Sequence, residues 1–181
     1  KLGNFFAVKE YSPSDLFVRE GTTIYPYEDT EEDYNKGLAD FLHEARTLAR
    51  FSHQNIVKVA RIIEANNTAY MVLEFEEGQS LKEWLRDRPN KPQQAELDAI
   101  VSPLLDALEL IHADNILHRD VAPDNIYVRR NGTPVLLDFG SARPGTARSH
   151  TVSAVVKAGY SPQEQYSSRA HNQGPWTDIY S

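Results

Sequence analysis

Two short polar clusters constrain this chain more than any other feature of its sequence. Residues 118–125 read HRDVAPDN, and residues 138–140 read DFG. An Asp and an Asn lie five positions apart in the first cluster, and the Asp of the second follows thirteen positions after that Asn. Mg²⁺ prefers hard oxygen ligands such as carboxylates and amides. Two carboxylates and one amide this close suit a Mg-nucleotide site, with one carboxylate left to orient a hydroxyl nucleophile.

The chain between the two clusters predicts a β-hairpin. Residues 126–130 (IYVRR) and 134–137 (PVLL) have the composition of strands, and Asn131-Gly132 between them is typical of a type I′ turn. A hairpin would hold both clusters on one rigid element.

Composition excludes several classes of partner and site. The 181 residues are 40% hydrophobic, which fits a globular domain with a real core. With 26 acidic and 19 basic side chains, the net charge of −7 argues against nucleic acid or an anionic membrane as the main partner. The chain contains no Cys, which excludes disulfides and thiolate metal sites and is compatible with the cytoplasm, where we expect the protein. We find no apolar run long enough to span a membrane.

The two clusters, at this spacing and joined by a hairpin, resemble the catalytic loop H-R-D-x-x-x-x-N and the D-F-G motif of protein kinases. The motif set is most similar to that of bacterial Hanks-type Ser/Thr protein kinases. The resemblance implies an α+β, two-lobed kinase fold, truncated at both ends, with a small β-rich N-lobe and a mainly helical C-lobe. Residues 1–76 would form the partial N-lobe and hinge, and residues 77–181 the partial C-lobe.

The same resemblance implies transfer of the ATP γ-phosphoryl group to a Ser or Thr of a protein substrate, with ATP and Mg²⁺ as cofactors. Asp120 would accept and orient the hydroxyl proton, and Asn125 and Asp138 would hold Mg²⁺. His118 and Phe139 would be packing residues.

The nucleotide-binding residues of the N-lobe are assigned by resemblance as well. Residues 5–10 (FFAVKE) alternate as a strand and are similar to the kinase A-x-K strand, in which Ala7 packs on adenine and Lys9 contacts phosphates. By itself, Lys9 could also be a surface lysine that closes an edge strand. Helical spacing predicts a helix over residues 34–51, and Glu44 within it would pair with Lys9.

Strands are predicted at residues 55–59 and 68–75. On the kinase pattern, Leu73 is the gatekeeper, residues Glu74 to Glu76 form the hinge that binds adenine, and Tyr127 lies under the adenine ring.

Three further segments carry none of the predicted site residues. Residues 11–33 form a polar, turn-rich insertion, whose acidic end is either a solvated face or a docking surface. Residues 80–83 (SLKE) form a capping box that opens a short helix ending near Arg86. A long helix is predicted from Pro92 to about Ala113, with Pro103 causing a kink or a break at which Ser102 is the new cap.

The segment after D-F-G resembles a kinase activation segment. It carries candidate autophosphorylation sites at Ser149, Thr151 and Ser153, and Arg119 would pair with the phosphate. Residues 159–164 (GYSPQE) resemble the A-P-E region. Asp178 would hold the backbone of the catalytic loop.

Three departures from the kinase pattern stand out. No glycine-rich loop and no final C-lobe helices are present, so the resemblance implies a fragment that is inactive alone. Ser/Thr kinases carry a Lys two residues after the catalytic Asp, where this chain has Ala122, although Pro123 favours Ser/Thr specificity. Lys157, seven residues before Glu164, replaces the usual Thr. Its ammonium could occupy the place of the missing lysine and act in catalysis, or it could be an exposed loop lysine.

Two other functions stay open at this point. The chain could be a pseudokinase or a truncated ATP-binding or scaffold module without activity, or a small-molecule phosphotransferase of kinase-like fold. The intact set at positions 9, 44, 120, 125 and 138 argues against an inactive module in the parent protein. The long Ser/Thr-rich segment before Glu164 argues against the latter.

Overall fold

A computed structural model gives the fold of the chain. It describes residues 3, 5–139, 157, 159–166 and 173–180, together with the backbone of residues 143–144. The chain divides into two compact units. Unit 1 comprises residues 1–52 and 57–75, and unit 2 comprises residues 53–56 and 76–181.

Unit 1 is built on a three-stranded antiparallel sheet. Its strands are β1 (Phe6–Glu10), β4 (Val59–Ala65) and β5 (Thr68–Glu74), in the order β1-β5-β4. The turn between β4 and β5 is Asn66-Asn67, both with left-handed backbones at φ of 57° and 56°, as a type I′ turn requires.

The strand predicted at residues 55–59 is displaced, because β4 begins only at Val59. Asn55 is instead buried in unit 2, where its side-chain amide donates to the Pro134 carbonyl at 2.7 Å. Its own carbonyl accepts from the Leu136 N–H at 2.8 Å. These bonds, together with an isolated parallel β-bridge between Ile56 and Leu136, attach this part of the segment to β9 of unit 2 (Pro134–Leu136).

Residues 11–33 are more ordered than the sequence predicted, because they contain the hairpin β2 (Phe17–Glu20) and β3 (Thr23–Pro26). Its two-residue loop begins at Gly21, whose φ of 59° favours glycine. Phe17 and Ile24 are buried with Tyr34 in a small core. Each strand is only four residues long, so the alternation of apolar and polar residues was too short to indicate a strand.

Helix α1 (Glu31–Leu48) completes unit 1. It begins and ends three residues before the predicted bounds of 34 and 51. Three acidic residues in its first turn interact favourably with the positive end of the helix dipole. The predicted apolar face is buried, at Phe41, Leu42, Ala45 and Leu48.

The helices of unit 2 largely follow the predictions. α2 (Leu81–Arg86) has the expected capping box, in which the Glu83 N–H donates to Ser80 Oγ and Glu83 accepts from the Ser80 N–H. α3 (Gln94–Ala113) runs unbroken through Pro103, so the break with Ser102 as a new cap was wrong. Proline removes one backbone donor, but Ile100, Leu104, Ala107, Leu108 and Ile111 are buried around it and hold the helix together.

The hairpin predicted between the two polar clusters is present. β8 (Ile126–Arg129) pairs with β9 (Pro134–Leu136), and β6 (Gly78–Ser80) pairs with the other edge of β8. A Cβ on Gly78 would lie 2.1 Å from the Val128 carbonyl oxygen, so only glycine allows this approach.

The turn of this hairpin is not type I′. Only Gly132 has a left-handed backbone, with φ of 85°. The Arg129 N–H donates to the Thr133 carbonyl, which closes a loop of three residues with glycine last. The Arg130 N–H donates to Glu77 instead of closing a two-residue loop.

The remaining elements of unit 2 are short. They are β7 (Ile116–Leu117), which pairs with β10 (Arg143–Pro144), a 3₁₀ turn at Gln163–Gln165, and α4 (Pro175–Tyr180). Of the helices that the structure describes, none is long and apolar enough to cross a membrane.

Candidate active site

The centre of the candidate site in unit 2 is the Asp120 side chain. The Asn125 amide donates to Asp120 twice, to its carboxylate oxygen Oδ2 at 2.6 Å and to its carbonyl oxygen at 2.9 Å. Asn125 is held by the turn that precedes β8, where its N–H donates to the Ala122 carbonyl. The five-residue spacing in the sequence therefore brings the two side chains into contact.

Lys157 contacts the other side of the same carboxylate. Its ammonium nitrogen lies 3.6 Å from Asp120 Oδ1 and 3.3 Å from Asp124 Oδ2. The side chain is 28% exposed, so it is not the freely exposed loop lysine of the alternative interpretation. The backbone at Lys157 is fixed, because its N–H donates to Ser161 Oγ and its carbonyl accepts from the Tyr160 N–H.

The structure adds Asp124 to this group, a contact that the sequence analysis missed. Asp124 also lies 3.6 Å from the Lys82 ammonium. Partial burial would raise the pKa of the Asp124 carboxyl, but the hydrogen bonds and charges of Lys157 and Lys82 outweigh that effect and lower it. Asp124 is therefore a carboxylate at neutral pH, and it attracts Lys157 towards Asp120.

Asp178 of α4 holds the loop that leads into Asp120. Its buried carboxylate accepts from the His118 N–H at 2.9 Å and from the Arg119 N–H at 2.6 Å. It also contacts His112 Nε2 at 2.7 Å. The prediction that Asp178 holds the catalytic-loop backbone is confirmed.

The backbone of the loop is conformationally restricted. Arg119 has a left-handed backbone at φ of 67°, and Gln165 donates to its carbonyl at 2.7 Å. Asp138, at the end of the hairpin, has φ of 46°. Non-glycine residues in this region carry strain, and such strain is concentrated at functional sites.

His118 is a packing residue, as predicted. Its ring is fully buried and packs edge-on against Phe139, with 4.7 Å between ring centroids. Burial lowers the pKa of His118, because desolvation disfavours the imidazolium. Nδ1 accepts from the Asp120 N–H, so the neutral ring donates from Nε2 to the Leu137 carbonyl.

Unit 1 contains the predicted lysine–glutamate pair. The Lys9 ammonium lies 3.0 Å from Glu44 Oε1, and the Glu44 side chain is 8% exposed. A glutamate this deeply buried requires a charged partner. The pairing is confirmed, and Lys9 is not simply a surface lysine at the end of an edge strand.

The other predicted nucleotide-binding residues are divided between the two units. In unit 1, Ala7 pairs with Leu73 across β1 and β5, and Glu74 lies 2.7 Å from the Lys58 ammonium. In unit 2, Glu76 accepts two hydrogen bonds from the Arg129 guanidinium, at 2.5 and 2.6 Å. The Tyr127 hydroxyl donates to the Gly78 carbonyl at 2.8 Å.

The candidate metal ligands Asn125 and Asp138 present oxygen donors. The Asn125 –NH₂ group donates to Asp120, so the ligand atom that remains on this amide is its carbonyl oxygen. Asp138 adds a carboxylate that is exposed. Amide and carboxylate oxygens fit Mg²⁺. Within the described part of the chain, no group of three or more His, Cys, Asp or Glu side chains could hold a metal ion.

Comparison with known proteins decides the family. The family described as protein kinase domain matches residues 24–181. The chain belongs to this family. Its fold is similar to that of a solved kinase-family structure, described as the apo form of PpkA-294, with a TM-score of 0.81 and 38% identity over 97% of this chain and 62% of that chain. The predicted α+β kinase fold is confirmed.

Curated relatives of this kinase-family chain include several bacterial serine/threonine-protein kinases. It is 30% identical, over 99% of its length, to a protein of Lactococcus lactis named probable serine/threonine-protein kinase PknB. It is 35% identical, over 80% of its length, to serine/threonine-protein kinase PknL of Mycobacterium tuberculosis. The chain spans only 29% and 36% of those two proteins.

Some predicted features are not tested by this structure. The candidate phosphorylation sites Ser149, Thr151 and Ser153 lie outside the described residues.

Proposed function

We propose that the protein containing this chain transfers the γ-phosphoryl group of ATP to Ser or Thr hydroxyls of a protein substrate. The observation that carries the proposal is the environment of Asp120, whose two carboxylate oxygens contact the Asn125 amide and the Lys157 ammonium. This arrangement fixes the carboxylate to accept and orient a hydroxyl proton. Phosphoryl transfer needs little covalent help from the protein, so positioning and charge neutralisation account for most of the catalysis.

Lys157 is proposed to be catalytic. Ala122 has no charge, but Lys157, which lies 35 positions later in the sequence, places its ammonium 3.6 Å from Asp120 Oδ1. There the lysine can neutralise charge that develops on the transferred phosphoryl group. In this proposal, the positive charge is conserved in space although its position in the sequence has changed.

The nucleotide is proposed to bind to the residues that the kinase pattern assigns to it. Lys9, oriented by Glu44, contacts phosphate oxygens, while Ala7 packs on adenine. The gatekeeper Leu73 and the hinge residues Glu74 and Glu76 are proposed to bind adenine, with Tyr127 under the ring.

Asn125 and Asp138 are proposed to hold Mg²⁺, which neutralises phosphate charge when bound. The residues of this chain then have separate tasks. Asp120 handles the proton of the attacking hydroxyl, and Lys157 provides a fixed positive charge beside it.

Regulation by autophosphorylation is proposed at Ser149, Thr151 or Ser153, with Arg119 pairing with the phosphate. A phosphate opposite an arginine can order a loop through charge-assisted hydrogen bonds. Because phosphoryl transfer of this kind consumes ATP, we place the protein in the cytoplasm.

The proposal is tested by identifying the product. The full-length protein is incubated with Mg²⁺, radiolabelled ATP and either mixed protein substrates or small alcohols. Label recovered as phosphoserine or phosphothreonine, and absent in Asp120→Ala, is the expected result. Label recovered only on small alcohols would assign a small-molecule phosphotransferase instead, and no transfer to either would favour an inactive scaffold.

A further inference from the structure

We propose that Tyr11 and Gly37 together position Lys9 opposite Glu44, and that residues 11–33 hold this contact in place. The inference deepens the proposed function, on which it rests for the role of Lys9 in binding ATP. It assigns a task to the segment that the sequence left without one. All of the residues concerned lie in unit 1.

Helix α1 contains a notch at Gly37, and the Tyr11 side chain fills it. A Cβ on Gly37 would lie 2.1 Å from Tyr11 Oη and 2.9 Å from Cζ. No alanine could occupy this position while the tyrosine ring stays where it is. Glycine is otherwise among the poorest residues for a helix interior, so the close approach of the ring gives a physical reason for its presence.

The backbone of Tyr11 is fixed to the sheet that carries Lys9. Its N–H donates to the Ala69 carbonyl at 3.0 Å, and its carbonyl accepts from Thr68 Oγ1 at 2.5 Å. Lys9 pairs with Met71 of the same strand β5. Tyr11 therefore extends the strand β1 by one fixed residue beyond Glu10.

The side chain of Tyr11 is fixed to the helix that carries Glu44. Its hydroxyl donates to the Tyr34 carbonyl at 3.2 Å, and its ring centroid lies 5.2 Å from that of Tyr34 and 5.9 Å from that of Phe41. The Lys9 ammonium lies 6.0 Å from the Phe41 ring centroid. Positions 34, 37, 41 and 44 recur at helical spacing, so Tyr11 lies along the same side of α1 as the ion pair.

The β2–β3 hairpin packs against both partners of this contact, through Tyr34 of α1 and through Tyr11. Phe17 and Ile24 pack with Tyr34 in one buried cluster, and Tyr11 packs against it. The Tyr34 hydroxyl donates to the Asn67 carbonyl at 2.8 Å, which ties the start of α1 to the turn between β4 and β5. Tyr11 thus connects strand and helix, and the hairpin prevents the two from separating at that point.

The test compares Gly37→Ala with Asn35→Ala in the full-length protein. Asn35 is an exposed residue of the same helix, and both substitutions introduce a better helix former. The rate at which an amine-reactive reagent acylates Lys9, followed by mass spectrometry, measures the ion pair without requiring enzymatic turnover. We expect several-fold faster acylation in Gly37→Ala, together with a higher KM for ATP, and no change of either in Asn35→Ala.

Two further variants distinguish positioning from a general loss of structure. Tyr11→Phe in the Gly37→Ala background removes the atom closest to the new methyl group, so it should restore part of the protection of Lys9. Tyr11→Leu, which adds nothing to the helix, should expose Lys9 to the reagent even if Gly37→Ala does not fold. Wild-type Lys9 reactivity in Tyr11→Leu would overturn the inference.

The thermal midpoint of Gly37→Ala should change in opposite directions depending on whether the new methyl group only improves the helix or also displaces Tyr11. An ordinary Gly→Ala change in a helix would raise the Tm by about 2–4 °C. Displacement of the tyrosine should instead lower it, so a raised Tm with unchanged Lys9 acylation would contradict the inference. If Lys9 becomes reactive while the KM for ATP is unchanged, Tyr11 still positions the pair, and only the ATP-binding role of Lys9 fails.

Discussion

At the scale of single residues, the positive charge beside Asp120 comes from Lys157 and not from the loop that contains Asp120, residues 118–125. Ala122 is buried and uncharged, and Lys157 reaches Asp120 from a distant part of the sequence. Its amino group is also attracted by Asp124. Two carboxylates thus hold the ammonium, while Tyr160 and Ser161 fix the backbone at Lys157.

Replacing Lys157 tests this arrangement. Lys157→Ala should lower kcat by about 10²-fold, as for loss of one group that stabilises the transition state. Adding Ala122→Lys should restore part of the loss. Lys82→Ala is the matched control, because Lys82 also contacts Asp124. Among the ion pairs of the described residues, none joins Lys82 to Asp120. Full activity of Lys157→Ala would end the proposed role.

His118 makes stability depend on pH. Because its pKa is lowered in the folded state by burial, the unfolded chain binds a proton first as the pH falls below about 6.5. The free energy of unfolding should therefore fall by up to about 1.4 kcal/mol per pH unit below that value, until the folded state is protonated too. Denaturant unfolding at several pH values between about 7.5 and about 5.5 measures this change in the free energy of unfolding.

The control for this pH dependence removes one imidazole at a time. His118→Gln should flatten the slope over this range, whereas His43→Gln, at an exposed position of α1, should preserve it. Identical slopes in wild type and His118→Gln would show that another group titrates.

At the scale of elements, short segments hold the site residues through backbone contacts. α4 is only six residues long, yet Asp178 within it fixes two successive N–H groups of the catalytic loop. The function of this helix in the fold is to present a buried carboxylate.

Substituting Asp178 separates its charge from its shape. Asp178→Ala leaves two backbone donors of the loop unpaired and should lower the free energy of unfolding by about 3 kcal/mol or more. Asp178→Asn keeps one acceptor oxygen and should cost less. Chemical denaturation of both variants gives the comparison, and equal stability of wild type and Asp178→Ala would refute the anchoring role.

The sequence was most informative where a motif and its local geometry coincide. The contact of Asp120 with Asn125 follows from their spacing of five positions in one loop, and the hairpin followed from two apolar runs. Motif order also predicted the pairing of Lys9 with Glu44. These features depend on local chemistry or on a pattern shared by the whole family.

The features that the sequence did not reveal depend on packing between distant segments. The notch at Gly37 has meaning only when Tyr11 lies against it, and a glycine inside a helix does not identify its neighbour. The Asn131-Gly132 pair indicated the wrong turn type. The Arg130 N–H donates to Glu77, which directly precedes β6, and so does not close a two-residue loop. α3 continues through Pro103 because the packing of buried side chains on both sides of the proline stabilises the helix by more than the one missing hydrogen bond costs.

At the scale of the whole molecule, each unit carries one part of the proposed chemistry. Unit 1 holds the lysine–glutamate pair, and unit 2 holds the proton acceptor, the candidate metal ligands and Lys157. We propose that these residues together perform phosphoryl transfer, with Asp120 acting on the hydroxyl and not on the nucleotide.

Asp120→Ala in the full-length protein tests that claim most directly, when kcat and the affinity for Mg-ATP are measured on the same preparation. We expect kcat to fall by about 10²-fold or more, as for loss of a positioned base, with nucleotide affinity largely retained. Turnover close to that of the wild type, with Mg-ATP still bound, would contradict it.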